Sequence, residues 1–231
     1  VGKPKLNVVL PAYNEAGNLE PVVSGLLAVA PELEADLWVT IVDDGSTDST
    51  AVVISNLQKI RPNILCVAHS RNIGYGGAVI SGMKAVEADY IAIMDADGQF
   101  DARDLVTLFR HTRSHDVVVG YRRKRADPLG RRFLGRLWTI LGRCIFRIPV
   151  RDLNCGLKIL KRSLIDPNGL QCEGPGVNME IMSKITAAGI PIQEVGCRHF
   201  SRRLGRQSGA SFPVVKRGIA ELFRMMRGKR V

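Results

Sequence analysis

The chain has 231 residues, 45% of them hydrophobic and 24% charged, with a formal net charge of +11, and that length suits one sizeable core. No run approaches about 18 consecutive apolar residues and the N-terminus carries no basic-then-apolar leader, so the sequence predicts a cytosolic chain that neither spans a membrane nor enters a secretory route. Five cysteines, odd in number and without a Cys-x-x-Cys pair, argue against a disulfide framework and against zinc, and predict reduced thiols.

Lys5 to Leu10 reads as a first buried strand that breaks at Pro11, followed by a polar turn through Tyr13, Asn14 and Glu15 and a helix from about Asn18 to Ala30. Leu37 to Val42 is a second strand, ending in Asp43-Asp44-Gly45-Ser46-Thr47-Asp48, where Ser46 or Thr47 can cap a helix to about Ile60. Ile64 to Ala68 is a third strand. The segment from Arg71 to Ala78 opens a helix to about Val86, and we read Gly74, Gly76 and Gly77 as packing glycines, because their spacing does not fit a dinucleotide fingerprint. Tyr90 to Met94 supplies the fourth strand and runs straight into Asp95-Ala96-Asp97-Gly98-Gln99.

Continuous Val/Ile/Leu strands alternating with helices predict an α/β fold, a mainly parallel central sheet covered by helices on both faces. Ligands of such sheets bind beyond the carboxyl ends of the strands, so Tyr13-Asn14-Glu15, Asp43-Asp44 and Asp95-Ala96-Asp97 should surround one crevice. Two carboxylates at i and i+2 on a turning chain, with the Gln99 carboxamide nearby, suit a hard cation, Mg²⁺ or Mn²⁺, that keeps positions open for substrate phosphate oxygens. The competing role for Asp95 and Asp97, capping the helix that starts near Asp101, needs only one carboxylate.

Residues 1–121 hold 9 basic against 15 acidic side chains, and residues 122–162 hold 13 against 2. After a helix near Arg103 to His111 and a strand from Asp116 to Val119, Arg122-Arg-Lys-Arg125-Ala-Asp127-Pro128 is a charged loop and Leu129 to Ile148 is helical. Arg132, Arg136, Arg143 and Arg147 fall within roughly 60° of arc on that helix, beside an apolar face of Phe133, Leu137, Ile140, Leu141 and Cys144. A strand follows near Lys158 to Leu160, then a helix from Asn178 to about Ala188 and a strand from Ile192 to Gly196. The loop Arg202-Arg203-Leu-Gly205-Arg206-Gln-Ser208-Gly209 can fold over a diphosphate. A second basic amphipathic helix occupies the end, with Val214, Val215, Ile219, Leu222, Phe223, Met225 and Met226 on one half. Helices of this kind fit either an anionic membrane surface or ordinary packing on the sheet.

Pro11-Ala-Tyr13-Asn14-Glu15, Asp43-Asp44-Gly-Ser-Thr-Asp48, Asp95-Ala-Asp97-Gly-Gln99, Gly120-Tyr-Arg122 and Arg151-Asp152-Leu-Asn-Cys-Gly156-Leu-Lys158, in this order, resemble family two of the inverting nucleotide-sugar glycosyltransferases, in its polyprenyl-phosphate branch. The resemblance implies the GT-A fold over a single domain, residues 1–231, with a nucleotide-sugar half (1–121) and an acceptor and membrane-facing half (122–231). It implies that Pro11, Tyr13, Glu15, Asp43 and Asp44 hold base and ribose, that Asp95, Ala96, Arg203 and Arg206 also meet the UDP- or GDP-linked donor, and that Asp95, Asp97 and Gln99 hold the metal. Arg122, and Arg131 or Arg132, would meet the phosphate of a polyprenyl (or dolichyl) acceptor. Asp97, Arg122 and Asp152 would be the catalytic set, in a protein lying on the cytoplasmic face of a membrane.

A phosphate acceptor is already anionic at pH 7, so no general base is required. Transfer to a hydroxyl would instead need one, and Asp152 or Glu180 would serve. A nucleic-acid-binding module would leave the carboxylate motif idle and lacks aromatic interleaving in its basic blocks, so no nucleic-acid partner is expected.

Overall fold

The structure is a computed structural model that describes residues 2–202, 204–205 and 211–228. Among the described residues, strands β1 (Lys5–Ala12), β2 (Asp36–Asp43), β3 (Ile64–Ala68), β4 (Tyr90–Ile93), β5 (Val117–Arg122), β6 (Lys158–Lys161) and β7 (Gln193–Cys197) form one sheet in the order β3-β2-β1-β4-β6-β5-β7. All pairings are parallel except those of β6, which runs antiparallel between β4 and β5. Seven helices cover the sheet: α1 (Ala16–Val29), α2 (Thr50–Ile60), α3 (Tyr75–Lys84), α4 (Ala102–His111), α5 (Leu129–Phe146), α6 (Val177–Ala187) and α7 (Phe212–Gly228).

Successive strand side chains point to opposite faces, so each apolar run feeds two cores. Leu6, Val8 and Leu10 of β1 join Leu19, Val23 and Leu26 of α1 and Leu105 and Leu108 of α4 in one cluster. Val9, Ile91 and Ile93 join Val79 and Met83 of α3, Met179 and Ile181 of α6 and Leu222 of α7 in the other.

β1 does not break at Pro11. The strand continues to Ala12, with Pro11 opposite Val42. Val9 accepts a bond from Met94 on the β4 side, so the amide position of Pro11, two residues on, faces the same side. There the β4 pairing has already ended at Ile93, and a missing N–H forfeits no ladder bond. The long basic helix also ends earlier than expected. Arg147 adopts φ 57°, the left-handed region, and closes α5 by donating its N–H to Arg143 and Gly142, so it leaves the arginine face of that helix.

Candidate active site

The chain leaves β1 towards β2 and β3 on one side and returns as β4 on the other, so the loops at the carboxyl ends of β1 and β4 part and leave a crevice. A cleft of about 350 Å³ lies there, lined by Pro11, Ala12, Tyr13 and Glu15 after β1 and by Asp95, Ala96 and Asp97 after β4. Asp44, Asn72 and Gly74 close it from the β2 and β3 side.

The donor-side loops are tied to one another. Asn14 takes a left-handed φ of 56°, a conformation Asn tolerates, and its backbone N–H donates to Ser46 Oγ while its Oδ1 accepts from Thr47 N–H. Ser46 and Thr47 therefore brace the β1 turn and do not cap α2. The N-cap position of α2 is Ser49, which makes no side-chain cap bond, and Asp48 before it accepts from Thr50 N–H at 2.9 Å. Asp43 accepts from Ser46 N–H. Asp44 accepts from Ile73 N–H, Gly74 N–H and His69 Nδ1, so its carboxylate shapes the loop at the β2 and β3 end of the cleft. Gly74 has φ 107°, and a Cβ on Gly76 would strike the Cys172 carbonyl, which bears out the reading of these glycines as close-approach positions. Glu15 binds Arg202 through both oxygens, at 2.7 and 2.8 Å, and Asn18 Nδ2 at 2.7 Å.

Asp101, not Asp95 or Asp97, caps α4, accepting from Arg103 N–H. The two earlier carboxylates are thus left for the cleft. Asp95 lies against Gly156, where any Cβ would collide with its carboxylate, and faces Lys158, whose side chain is 1% exposed and donates to the Cys155 carbonyl. Burial raises the pKa of Asp95 despite the opposing charges of Lys158, Arg122 and Arg131. Burial and the neighbouring Asp95 push Asp97 up to about 7. Two carboxylates that cannot both ionise comfortably fit a hard divalent cation, which would stabilise both charges. Among the described residues no group of three or more His, Cys, Asp or Glu side chains could hold a metal, so the remaining ligands would come from diphosphate and water. Gln99, expected as a further ligand, is 3% exposed and donates its side-chain amide to the Phe200 carbonyl at 2.7 Å, while its backbone carbonyl accepts from Phe200 N–H. That is the work of a brace between the β4 and β7 loops.

A second cavity, about 240 Å³, opens from the cleft between α5 and α7. Asp95, Arg131 and Asn154 line both, while Leu134, Leu137, Trp138, Leu141, Val215 and Ile219 line the second alone. Of the three arginines expected at an acceptor phosphate, Arg122 and Arg131 line this cavity and Arg132 does not. Arg122 is spent on Asp152 through two hydrogen bonds of 2.6 and 2.7 Å, with Asp127 3.5 Å away. Arg131 borders both cavities; its Nε is 3.4 Å from Asp127, and one of its terminal nitrogens is buried without a hydrogen-bond partner. Arg132 faces a different cavity on the other side of α5, because a helix turns about 100° per residue. Among the described residues, buried polar atoms of Trp138 and Asn154 also lack partners around the two joined cavities, as expected of a site completed by a polar ligand.

Neither carboxylate considered as a general base is free. Burial raises the pKa of Asp152, but the Arg122 hydrogen bonds more than offset it and hold the carboxyl below its usual range. Glu180 accepts from the backbone N–H groups of Gln171 and Cys172 and anchors the loop before α6. Glu221 of α7 does the same for Gly174 and Gly176.

Residues 7–168 match the profile of glycosyl transferase family 2. The chain belongs to that family. It is 28% identical over 203 residues to the undecaprenyl-phosphate 4-deoxy-4-formamido-L-arabinose transferase of Salmonella paratyphi A, and 27% identical to the transferase of the same name from Salmonella choleraesuis. Each alignment covers 87% of this chain, which spans 61% of those relatives. Among solved structures, glucosyl-3-phosphoglycerate synthase of Mycobacterium tuberculosis superposes with a TM-score of 0.70 at 21% identity, over 96% of this chain and 80% of that one. Its complex with Mn²⁺, UDP and glucosyl-3-phosphoglycerate gives 0.75 at 20% identity, over 96% and 79%. The fold is therefore the GT-A fold, as the motifs of this family 2 chain implied.

Arg203 and Arg206 lie outside the described residues. Arg202, beside them, reaches the cleft, lying 3.7 Å from Asp97. Sequence reasoning placed Arg202 in the loop that can fold over a diphosphate without singling it out, and passed over Lys158, Tyr75 and Asn178 as site residues, and also His199, whose pKa burial and the nearby Arg122 lower to about 4. Lys158 alone left a trace, as a lysine opening an apolar strand directly after Cys-Gly-Leu.

Proposed function

We propose that the protein transfers a sugar from a nucleotide diphosphate sugar to a polyprenyl monophosphate, inverting the anomeric carbon. The observation that carries this reading is the meeting of two unlike cavities at Asp95, Arg131 and Asn154. The polar cleft suits a nucleotide sugar. The apolar one suits a prenyl chain, since a water-soluble acceptor gains nothing from a wall of leucine, isoleucine and tryptophan. Exposed apolar side chains at its rim, Phe133 and Ile140 on α5 and Ile219 and Phe223 on α7, would rest in an anionic membrane surface with the neighbouring arginines on headgroups. No helix among the described residues is long and apolar enough to cross a membrane. The names of the Salmonella relatives support a lipid-phosphate acceptor, and the Mn²⁺ and UDP of the mycobacterial complex support the donor side.

In this reading Pro11, Tyr13 and the loop braced by Asp43, Asp44 and Glu15 receive base and ribose, with Ala96 beside the sugar diphosphate. Asp95 and Asp97 hold Mg²⁺ or Mn²⁺, which supplies charge neutralisation to the departing diphosphate when bound. Arg202, with Arg203 and Arg206 from the same segment, adds positive charge on that side. Arg131 receives the acceptor phosphate, and the Arg122–Asp152–Asp127 network holds the floor beneath it. A phosphate oxygen forms the new bond to the anomeric carbon as the bond to the diphosphate oxygen breaks, and the electron pair leaves with the nucleoside diphosphate. No proton has to move, which agrees with Asp152 and Glu180 being committed elsewhere.

The test is incubation with polyprenyl phosphate and a panel of labelled UDP- and GDP-sugars, with Mg²⁺ or Mn²⁺, followed by solvent extraction. Label in the lipid phase from one donor is expected. Label passing only to water-soluble hydroxyl acceptors would overturn the reading.

A further inference from the structure

A third cavity, of about 430 Å³, opens on the other side of α5 from the acceptor cavity, with which it shares the walls Arg122, Arg125 and Gly135. Arg122 borders it but is neutralised by Asp152, Arg125 borders it but is paired with Asp127, and Arg151 is shared between Glu194 at 3.6 Å and the face of Tyr121. The other cations of its wall are Arg123, Lys124, Arg132 and Arg136. Among the described residues none of these four pairs with a carboxylate. Four like charges around one concavity repel one another and focus a positive field into it, a cost that an anion removes.

The position of the cavity on α5 indicates which anion. Arg132, Gly135, Arg136 and Thr139, at i, i+3, i+4 and i+7, form its helical wall. The next face round the helix is an exposed apolar ridge, with Leu129 78%, Phe133 68% and Ile140 53% accessible. Beyond the ridge, Leu134, Trp138 and Leu141 line the acceptor cavity. A ridge of this kind seated among acyl chains brings both cavity mouths to the headgroup layer. We propose that the basic cavity binds the phosphate of an acidic membrane phospholipid, separately from the acceptor, and so fixes the orientation in which α5 lies on the bilayer. Guanidinium forks match phosphate oxygens in geometry as well as charge.

The experiment compares Lys124→Gln/Arg136→Gln with Lys216→Gln/Arg224→Gln, a pair on exposed positions of α7 that removes the same charge. Each full chain is floated with phosphatidylcholine vesicles that contain or lack phosphatidylglycerol. The cavity pair is expected to lose phosphatidylglycerol-dependent binding by about tenfold or more per cation removed, at the strength of a charge-assisted bond, and the α7 pair by clearly less. Equal losses in the two pairs would mean diffuse attraction and overturn a discrete site. Inorganic phosphate or glycerol phosphate that displaces the protein from the vesicles at equal total ionic strength, and fails to do so in the cavity pair, would assign the cavity to a free phosphate compound and overturn the lipid assignment. Transfer to a short-chain polyprenyl phosphate without vesicles reports separately on the acceptor site and should be unchanged in the cavity pair; a loss there would merge the two sites and overturn their separation.

Discussion

In the proposed reading the cleft has a donor rim and an acceptor rim, and the two are held in opposite ways. On the donor rim polar side chains answer one another across loops: Asn14 with Ser46 and Thr47, Asp44 with Ile73, Gly74 and His69, Glu15 with Arg202. On the acceptor rim Arg131, Trp138 and Asn154 carry buried polar atoms with no partner. A rim whose bonds are already made costs little to organise when a nucleotide arrives, while a rim with open bonds is finished by its ligand. Beneath the acceptor rim, the Arg122–Asp152 pair combines both traits, since it is buried and complete and leaves Arg131 to point outward.

The largest effect should come from breaking that floor. Arg122→Ala leaves Asp152 buried and unpaired, a change that costs about 3–5 kcal/mol of folding stability, so thermal or denaturant unfolding should show a destabilised protein before any kinetic assay does. A mutant with wild-type stability would mean that Arg122 is free to serve the acceptor.

Next is the carboxylate pair, whose two like charges lie side by side even with Lys158 near Asp95 and Arg202 near Asp97. Asp97→Asn should lower kcat by about 10²–10³-fold or more, as loss of preorganised charge stabilisation does, without loss of stability in chelator. The sign follows from proton linkage. The folded protein holds the Asp97 proton up to about pH 7, more tightly than an unfolded carboxylate, so in chelator this group's contribution to stability falls as pH rises from about 4 through 7. Mn²⁺ or Mg²⁺ should therefore raise the melting temperature more at pH 8 than at pH 5, and Asp97→Asn should flatten that difference. A metal-induced shift independent of pH in the wild-type protein would remove the ion from these two residues.

Arg131→Ala sharpens the contrast between rims. One charge-assisted contact to the acceptor phosphate, about 1.5–3 kcal/mol, is lost, which is roughly a 10- to 150-fold fall in kcat/KM for the lipid. Calorimetric affinity for free nucleotide should stay within a factor of two or so of wild type. A comparable loss of nucleotide affinity would place Arg131 on the donor side.

The smallest effect belongs to the braced rim itself. Asp44→Ala strands the Ile73 and Gly74 N–H groups and His69, at about 1–3 kcal/mol in stability, softened because water can reach the cleft. Nucleotide affinity should weaken with it. Here a mutant that loses nucleotide binding with full stability would show direct contact by Asp44 and no bracing role.

Much of this was legible in the chain. Strands read as unbroken apolar runs: Ile64–Ala68 matches the expected span, and the others differ by one to three residues at an end. Asp95 and Asp97 announced themselves because an apolar strand ends in them. Pro11 misled, since a proline breaks a strand only where its amide would have met a partner.

What the sequence by itself determined was the alternation of elements, the family and the crevice between the ends of β1 and β4, because local patterning and strand order in parallel folds follow from short-range chemistry. What only the tertiary structure decided was which charges are spent. Asp152 and Glu180 look like bases along the chain, Gln99 like a metal ligand, Arg122 and Arg132 like neighbours of Arg131. Their roles separated once Arg122 met Asp152, Glu180 met the backbone of Gln171 and Cys172, Gln99 met Phe200 and α5 turned Arg132 away. A side chain's charge is a local property, but its partner lies tens of residues away in sequence, and a buried group's chemistry is set by that partner.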